Sequence, residues 1–289
     1  PWPLKPPSFS DLGIRGVERG VVGDEGVGAE EWPLHVKNVS LIDYEKILET
    51  SKGTRFFPLL SHCISFLNDD VFYERKNYTK KDVPNSVFSS KQVDTLLQYN
   101  KISIFEKDSF FGFVKGFLVK EEAKKRQRPI FEPSLNSSPF SSSFLIPLKY
   151  PSRFALRCNV NEKMYRIDFD FSAFFDQFNI SEKIRSYFVL KINHKLFCLN
   201  KMPMGARFAP GVAQTVTNFL IFLTLKDFPE DQLVIDTMID NVRFASSDRN
   251  MLFLSCKKFL YFCDLFQVQV NEREKYTDSF FFSKCNQEQ

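Results

Sequence analysis

Histidine is scarce in this sequence, and its cysteines stand far apart. The chain has 289 residues with 3 His and 6 Cys, and no two cysteines form a CxxC pair. Structural zinc sites need cysteines and histidines at short fixed spacings, so none is predicted. Scattered cysteines are typical of buried free thiols in a reducing compartment. With no recognisable secretory leader at the amino end, we expect an intracellular protein of the cytoplasm or nucleus that is not secreted.

Long apolar runs are also missing. The longest, Val216 to Leu225, contains Thr217, Asn218 and Thr224 and is too short to span a bilayer, so no membrane partner is expected. The net charge of +4 is too small to identify a nucleic-acid partner by itself. The hydrophobic content of 43%, which includes 34 Phe, is enough for a substantial core.

The hydrophobic pattern changes along the chain. Residues 1–40 are rich in Pro and Gly and have no hydrophobic period, which indicates a linker or arm. Helical periodicity follows from Val39 to Leu67, and another helix is predicted after Ser90 as its N-cap. Strand-like and helical runs then alternate: ISIFEKDSFF, GFVKGFLVKEE, MYRIDFD, VAQTVTNFLIFLTLKDF, DQLVIDTMIDNVRFASS and residues 250–266. Such interspersed elements, without an internal repeat, predict an α+β fold.

Two aspartates stand in strongly apolar surroundings, Asp170 in RIDFDFSAFF and Asp240 in TMIDNVRF. Burying a carboxylate without a cation or a hydrogen-bond donor is costly. Two carboxylates brought together from distant segments would form an oxygen site of the kind that Mg²⁺ prefers. The alternative for each aspartate is a strand end or a helix cap. Strand alternation places Asp168 on the same face as Asp170, so periodicity does not choose between them.

Five motifs follow one another in a fixed order: KKRQRPIFEPSLN, DFSAFFDQF, MPMGARFAP, MIDN and VNEREK. This ordered set, within residues 115–282, resembles the fingers and palm of reverse transcriptases. The residues of these motifs are most similar to those of VIPER-type and DIRS-like tyrosine-recombinase retrotransposons. The resemblance implies a right-hand polymerase whose palm has a ferredoxin-like (RRM-like) antiparallel sheet backed by helices, with the thumb absent or truncated.

The resemblance also implies bounds for the parts of the chain. The arm would occupy residues 1–40, and the amino-terminal helices and fingers residues 41–160. The palm would occupy residues 161–282, with residues 181–203 contributing to the fingers. Residues 283–289 would begin the connection to the thumb.

Catalytic roles are implied for four residues. Asp170 and Asp240 would bind two Mg²⁺ ions, for which Mn²⁺ could substitute, and the backbone carbonyl of Phe171 would be a further metal ligand. Lys275 would protonate the leaving pyrophosphate. For Lys275 the ordinary alternative is a solvated lysine after a strand.

Nucleotide-binding roles are implied for a second group: Lys124, Arg126, Arg128, Phe175, Gly205 and Gln214. The three basic residues would bind the phosphates, although a basic hairpin is also a common solvated face. Phe175 would exclude a ribose 2′-hydroxyl, and its alternative is a core position. Gly205 would allow close approach of the backbone to the substrate, or is a turn glycine. Gln214 would contact the template side, or is an ordinary helix-surface residue.

Two positions depart from the family pattern. Met238 stands where the family usually has Tyr, and Asn241 replaces a second Asp, which removes one negative charge from the site. At an effective dielectric near 20, a unit charge about 4 Å from an ion is worth roughly 4 kcal/mol. Asn241 therefore raises the alternative of a catalytically inactive domain.

The preferred function is an RNA-directed DNA polymerase. Its partners would be an RNA template, a DNA primer or RNA–DNA hybrid, and dNTPs, with two-metal nucleotidyl transfer to a primer 3′-hydroxyl. A ribonuclease H domain would lie downstream in the parent polyprotein. Two alternatives stay open: an inactive reverse-transcriptase-derived domain that binds RNA or hybrid, and an RNA-dependent RNA polymerase.

Overall fold

Helices and strands alternate along the computed structural model, which describes residues 32–137, 164–229 and 232–271 and the backbone of residues 283–284. The α+β class is confirmed. The chain divides into residues 1–32 and 33–289, and apart from Trp32 the described residues belong to the second unit. No described helix is long and apolar enough to cross a membrane.

The described residues contain six α-helices and twelve β-strands. The helices are α1 (Tyr44–Ser51), α2 (Phe57–Asn68), α3 (Ser90–Gln98), α4 (Glu182–Arg185), α5 (Ala209–Leu225) and α6 (Arg249–Leu265). The strands are β1 (Tyr78–Thr79), β2 (Asn85–Ser86), β3 (Ile102–Ile104), β4 (Ser109–Phe110), β5 (Val114–Glu121), β6 (Arg126–Pro133), β7 (Tyr165–Asp170), β8 (Val189–Ile192), β9 (Lys195–Leu199), β10 (Val234–Met238), β11 (Asn241–Ser246) and β12 (Ser283–Lys284).

A four-stranded antiparallel sheet has the strand order β10-β11-β7-β12. Between β7 and β10 the chain forms α4, β8, β9 and then helix α5, and α6 follows β11. Alternate residues of β7, Ile167 and Phe169, are buried, and Phe169 packs on Phe259 of α6. Asp168 and Asp170 lie on the opposite, exposed face, as the period of two in a strand requires. The sheet thus has one helix-covered face and one charged face.

The β5–β6 hairpin stands beside this sheet and pairs eight residues of each strand. Residues 33–35 pair with the start of β6: Leu34 forms a parallel bridge with Gln127, and the Gln127 N–H donates to the Pro33 carbonyl at 3.0 Å. Part of the predicted arm therefore belongs with the second unit. A further four-stranded sheet has the order β2-β8-β9-β3.

Local predictions hold with shifted boundaries. The predicted N-cap at Ser90 is wrong by one residue, because Ser89 makes a reciprocal capping box with Gln92. The run ISIFEKDSFF forms two short strands, β3 and β4, instead of one. The apolar helix begins at Ala209, three residues before the predicted run, with Pro210 in its first turn. Four described cysteines are buried and free: Cys63, Cys198, Cys256 and Cys263.

Candidate active site

A cavity of about 360 Å³ lies where the charged face of the antiparallel sheet meets the β5–β6 hairpin. Seven of the residues predicted for catalysis or nucleotide binding line it: Lys124, Arg126, Arg128, Asp170, Phe171, Phe175 and Asp240. Gly205 and Gln214 are not among its described lining residues, and Lys275 lies outside the residues that the structure describes. The fold thus brings together carboxylates and cations that are far apart in the sequence.

Asp170 and Asp240 meet at the ends of adjacent strands. Asp170 closes β7 opposite Asn241, the first residue of β11, and Asp240 precedes Asn241 in the β10–β11 turn. The Phe171 N–H donates to the Asp240 carbonyl at 2.9 Å, which joins the two segments directly. Burial raises the pKa of Asp240, and the negative charge of Asp170 raises it further. A cation bound at this point would relieve that repulsion.

The predicted metal ligands at this point are all oxygens: the carboxylates of Asp170 and Asp240, and the backbone carbonyl predicted for Phe171, which lines the same cavity. Oxygen donors suit Mg²⁺ and Mn²⁺, whereas zinc sites usually include nitrogen or sulfur ligands. No cluster of three or more His, Cys, Asp or Glu side chains is arranged as a metal site in the part of the chain that the structure describes. The chemistry of the two carboxylates therefore fits an oxygen-liganded ion such as Mg²⁺.

The turn that carries Asp240 is strained. Ile239 has a φ of 58°, a left-handed conformation that is unusual for a β-branched residue. Two side chains of α5 bind its backbone: Gln214 Oε1 accepts from the Ile239 N–H at 2.7 Å, and Thr217 Oγ1 donates to the Ile239 carbonyl at 2.7 Å. Helix α5 thereby holds the strained turn in place. Gln214 lies behind Asp240, away from the cavity lining.

Gly205 makes a close contact with the hairpin. A Cβ atom at this position would lie 2.6 Å from the carbonyl oxygen of Phe131 in β6, which is too close for any other residue without movement of the backbone. Asn136 Nδ2 donates to the Gly205 carbonyl at 2.6 Å. The glycine thus lets its loop dock on the hairpin, while its neighbours Pro203 and Met204 line the cavity.

The two hairpin arginines share one acidic partner. Glu121 forms ion pairs with Arg126 and with Arg128, the latter at 2.8 Å. Arg128 Nε is buried and has no hydrogen-bond acceptor among the described residues. The positive charge of Arg128 also acts to lower the pKa of Asp240, and both residues line the cavity. The Arg128 side chain is 34% exposed, so part of it is open to a ligand in the cavity.

Four further basic residues line the cavity, and no sequence motif marked them: His35, Lys37, Lys101 and Lys201. Lys101 forms an ion pair with Asp176. Lys201 is 8% exposed, and burial lowers the pKa of its ammonium group. In the sequence, only its position directly before MPMGARFAP indicated a role for Lys201. His35, Lys37 and Lys101 lie in segments that reach the site only in the folded chain.

His35 is neutral at neutral pH. Burial, followed by the positive charges of Arg126 and Arg128, lowers the pKa of His35 to about 4. Its Nδ1 lies 3.1 Å from Arg126 Nη1. Because arginine only donates hydrogen bonds, the neutral ring must accept at Nδ1. His35 thus lines the cavity as an uncharged ring among several cationic side chains.

The structure separates the competing aspartates. Arg243 Nε donates to Asp168 at 2.7 Å, and Arg166 Nε lies 3.7 Å from the same carboxylate. Asp176 is paired with Lys101. Only Asp170 of the three lies beside Asp240.

Phe175 lies in the short 3₁₀ helix Phe174–Gln177 and is 9% exposed. It belongs to the hydrophobic core and also lines the cavity. Phe175 is therefore a core residue that also lines the cavity, and its predicted exclusion of a ribose 2′-hydroxyl stays a prediction.

No protein-family model and no curated protein matches this chain.

Proposed function

We propose that this chain is the reverse transcriptase domain of a retrotransposon, an RNA-directed DNA polymerase that extends a primer 3′-hydroxyl with dNTPs. One observation carries the proposal: Asp170 and Asp240 share a cavity with the arginines of the β5–β6 hairpin. The ordered motifs that resemble reverse transcriptases supply these groups from three separate segments.

The topology of the antiparallel sheet supports the same assignment. Its strands and helices follow one another as β7, α5, β10, β11, α6 and β12, with the sheet order β10-β11-β7-β12. This is the order of a ferredoxin-like βαββαβ unit, which the resemblance predicts for a polymerase palm. In this proposal the β5–β6 hairpin belongs to the fingers.

The charges of the cavity suit a nucleoside triphosphate. Arg126 and Arg128 bind a phosphate oxygen more strongly than a neutral donor would, because the hydrogen bonds are charge-assisted. Arg128 is 34% exposed and lines the cavity, so its guanidinium group could donate to a phosphate that enters. Asp170 and Asp240 would hold Mg²⁺, which activates the attacking 3′-hydroxyl and stabilises the charge of the leaving pyrophosphate.

A second candidate function rests on Asn241. Its Nδ2 donates to Asp240 Oδ1 at 3.1 Å, so this position supplies an amide where the family usually has a carboxylate. That observation favours an inactive domain that binds RNA or RNA–DNA hybrid. An RNA-dependent RNA polymerase is disfavoured because the ring of Phe175 would occupy the space of a 2′-hydroxyl.

Primer extension tests the proposal. We expect the wild-type protein to extend a labelled DNA primer on an RNA template with dNTPs and Mg²⁺, and to use NTPs poorly. Asp170→Asn should abolish extension while hybrid binding, measured by fluorescence anisotropy, persists. Asp168→Asn is the matched control, since it removes the same charge two residues away on the same strand face, and it should retain most of the activity.

The outcomes separate the candidates. Hybrid binding without extension, in both Mg²⁺ and Mn²⁺, would establish the inactive domain. Efficient extension with NTPs would identify an RNA polymerase. Loss of activity in Asp168→Asn but not in Asp170→Asn would mean that the wrong carboxylate has been assigned.

A further inference from the structure

Asn271 makes two hydrogen bonds to Asp170. Its backbone N–H donates to the Asp170 carbonyl at 2.8 Å, and its side-chain Nδ2 donates to Asp170 Oδ2 at 2.5 Å. The adjacent bridge between Phe171 and Val270 aligns the two segments. Asn271 therefore contacts both the backbone and the carboxylate of the residue on which the proposed chemistry depends.

Lys37 binds the other end of the same amide. Its Nζ donates to Asn271 Oδ1 at 2.9 Å, from a position 234 residues earlier in the chain. Lys37 and Asn271 are both half-buried, and both line the cavity. The three side chains thus form a continuous hydrogen-bonded series from residues 33–40, through Asn271, to Asp170.

The charges at the two ends fix the orientation of the amide. An ammonium group only donates hydrogen bonds, and an ionised carboxylate only accepts them. A flipped Asn271 amide would place its oxygen against Asp170 and its NH₂ group against Lys37, so both contacts would be repulsive. With the amide held in one orientation, Asn271 Nδ2 donates to Asp170 Oδ2, and this hydrogen bond restricts rotation of the carboxylate.

We propose that Asn271 and Lys37 are positioning residues, which hold the Asp170 carboxylate in the orientation that nucleotidyl transfer requires. The inference rests on the proposed polymerase function and extends it to residues 33–40, a segment outside the motifs. Groups that orient a metal-binding carboxylate without binding the metal themselves typically affect metal affinity or activity about 10- to 100-fold when they are lost. Neither residue needs to touch the nucleotide for this effect.

The test uses Asn271→Ala, Lys37→Met and the double variant in the full chain. Each single change should lower the maximal rate of single-nucleotide extension about tenfold or more, with the KM for dNTP nearly unchanged. The double variant should be no worse than Asn271→Ala, because both changes break one series of contacts. Lys37→Arg, which keeps the donor and the charge, should restore most of the rate.

Mn²⁺ binding to the protein without nucleic acid, followed by electron paramagnetic resonance, provides a readout that does not need activity. Both single variants should bind Mn²⁺ about tenfold more weakly. Asn38→Ala, an exposed neighbour in the same segment, and Lys52→Met, an exposed lysine after α1, are the controls and should leave binding and rate unchanged. If Asn271→Ala does not fold, Lys37→Met carries the test.

The results distinguish this inference from the proposed function. If the wild-type protein binds Mn²⁺ but extends no primer, the polymerase assignment fails, while weaker Mn²⁺ binding in the variants would still support positioning. If the wild-type protein extends primers and both variants match it in rate and Mn²⁺ binding, the positioning role is overturned. A raised KM with an unchanged rate would also overturn it, because Lys37 would then be a substrate ligand.

Discussion

The backbone N–H of Ile239 donates a hydrogen bond to the side-chain oxygen of Gln214 at 2.7 Å. This contact ties the turn that carries Asp240 to a buried position of α5. Because Ile239 is held in a left-handed conformation, the turn would relax without the bond. The position of Asp240 therefore depends on helix α5.

Gln214→Ala should reduce extension mainly through the maximal rate. The change leaves the Ile239 N–H without its acceptor and should cost about 1–3 kcal/mol of unfolding free energy. Steady-state kinetics and urea unfolding measure the two effects. Gln98→Ala, the same change at an exposed position near the end of α3, is the control and should change both values little. A raised KM for the template with a normal rate would instead support the predicted template contact of Gln214.

Phe175→Val should relax the choice of sugar. Removal of the ring opens space in the cavity wall, so the preference for dNTP over NTP should fall about 10- to 100-fold. The ratio of kcat/KM values for the two substrates measures it. Phe178→Val is the matched control, because Phe178 is fully buried in the core and does not line the cavity. Both variants should lose about 1–3 kcal/mol of stability, and an unchanged ratio in Phe175→Val would make that residue part of the core alone.

Arg128→Ala should raise the KM for dNTP about tenfold, since the loss of a charge-assisted hydrogen bond costs about 1.5–3 kcal/mol. The maximal rate should fall less than the affinity. Lys115→Ala removes a positive charge from an exposed position of the same hairpin and should leave the KM unchanged. An effect of Arg128→Ala on thermal stability alone would show that its pairing with Glu121 is structural.

Asn241→Asp should increase the dependence of the protein on metal. The new carboxylate removes the donor to Asp240 and adds a third negative charge, so the metal-free protein should unfold at a lower temperature. The midpoint of the Mg²⁺ dependence of extension should fall about two- to fivefold, because this exposed charge is screened. Asn193→Asp adds the same charge in the β8–β9 turn and should change neither value. A large loss of activity in Asn241→Asp would mean that the amide itself is required.

The neutral His35 predicts a pH effect on stability. Its pKa in the folded protein is about 4, against 6.5 for an ordinary histidine. Below pH 6.5 the unfolded chain binds a proton that the folded protein does not, so stability is lost as the pH falls toward 4. His35→Gln removes this contribution, and its unfolding free energy should fall less steeply over that range in urea titrations. Asn38→Gln, an exposed and uncharged change in the same segment, should retain the wild-type slope.

Local patterns predicted most of the elements that surround the site. The apolar run of α5 and the β10–β11 pair follow from periodicity, because burial of one face constrains the neighbouring residues directly. The ordered motifs placed Asp170, Asp240 and the hairpin arginines together in one candidate site. Ser89, and not Ser90, is the N-cap of α3, because Ser89 forms reciprocal hydrogen bonds with Gln92.

The contacts between distant segments could not be predicted. Gln214 had the pattern of an ordinary helix residue, and its partner Ile239 lies 25 residues away in a turn of unusual geometry. Lys37 comes from a stretch without hydrophobic periodicity, so nothing in its sequence context indicated a contact with Asn271. Glu121 neutralises part of the basic hairpin through strand register, which becomes visible only when the two strands are paired.

The attachment of residues 33–35 to β6 bears on how a minimal version of the protein would be defined. The motifs begin near residue 115, and a version trimmed to them would keep both carboxylates and both arginines. It would lack the stretch that supplies Lys37 and His35, so one side of the cavity would be open to solvent. We therefore expect a functional version of this domain to need residues well upstream of the motifs, from at or before Pro33.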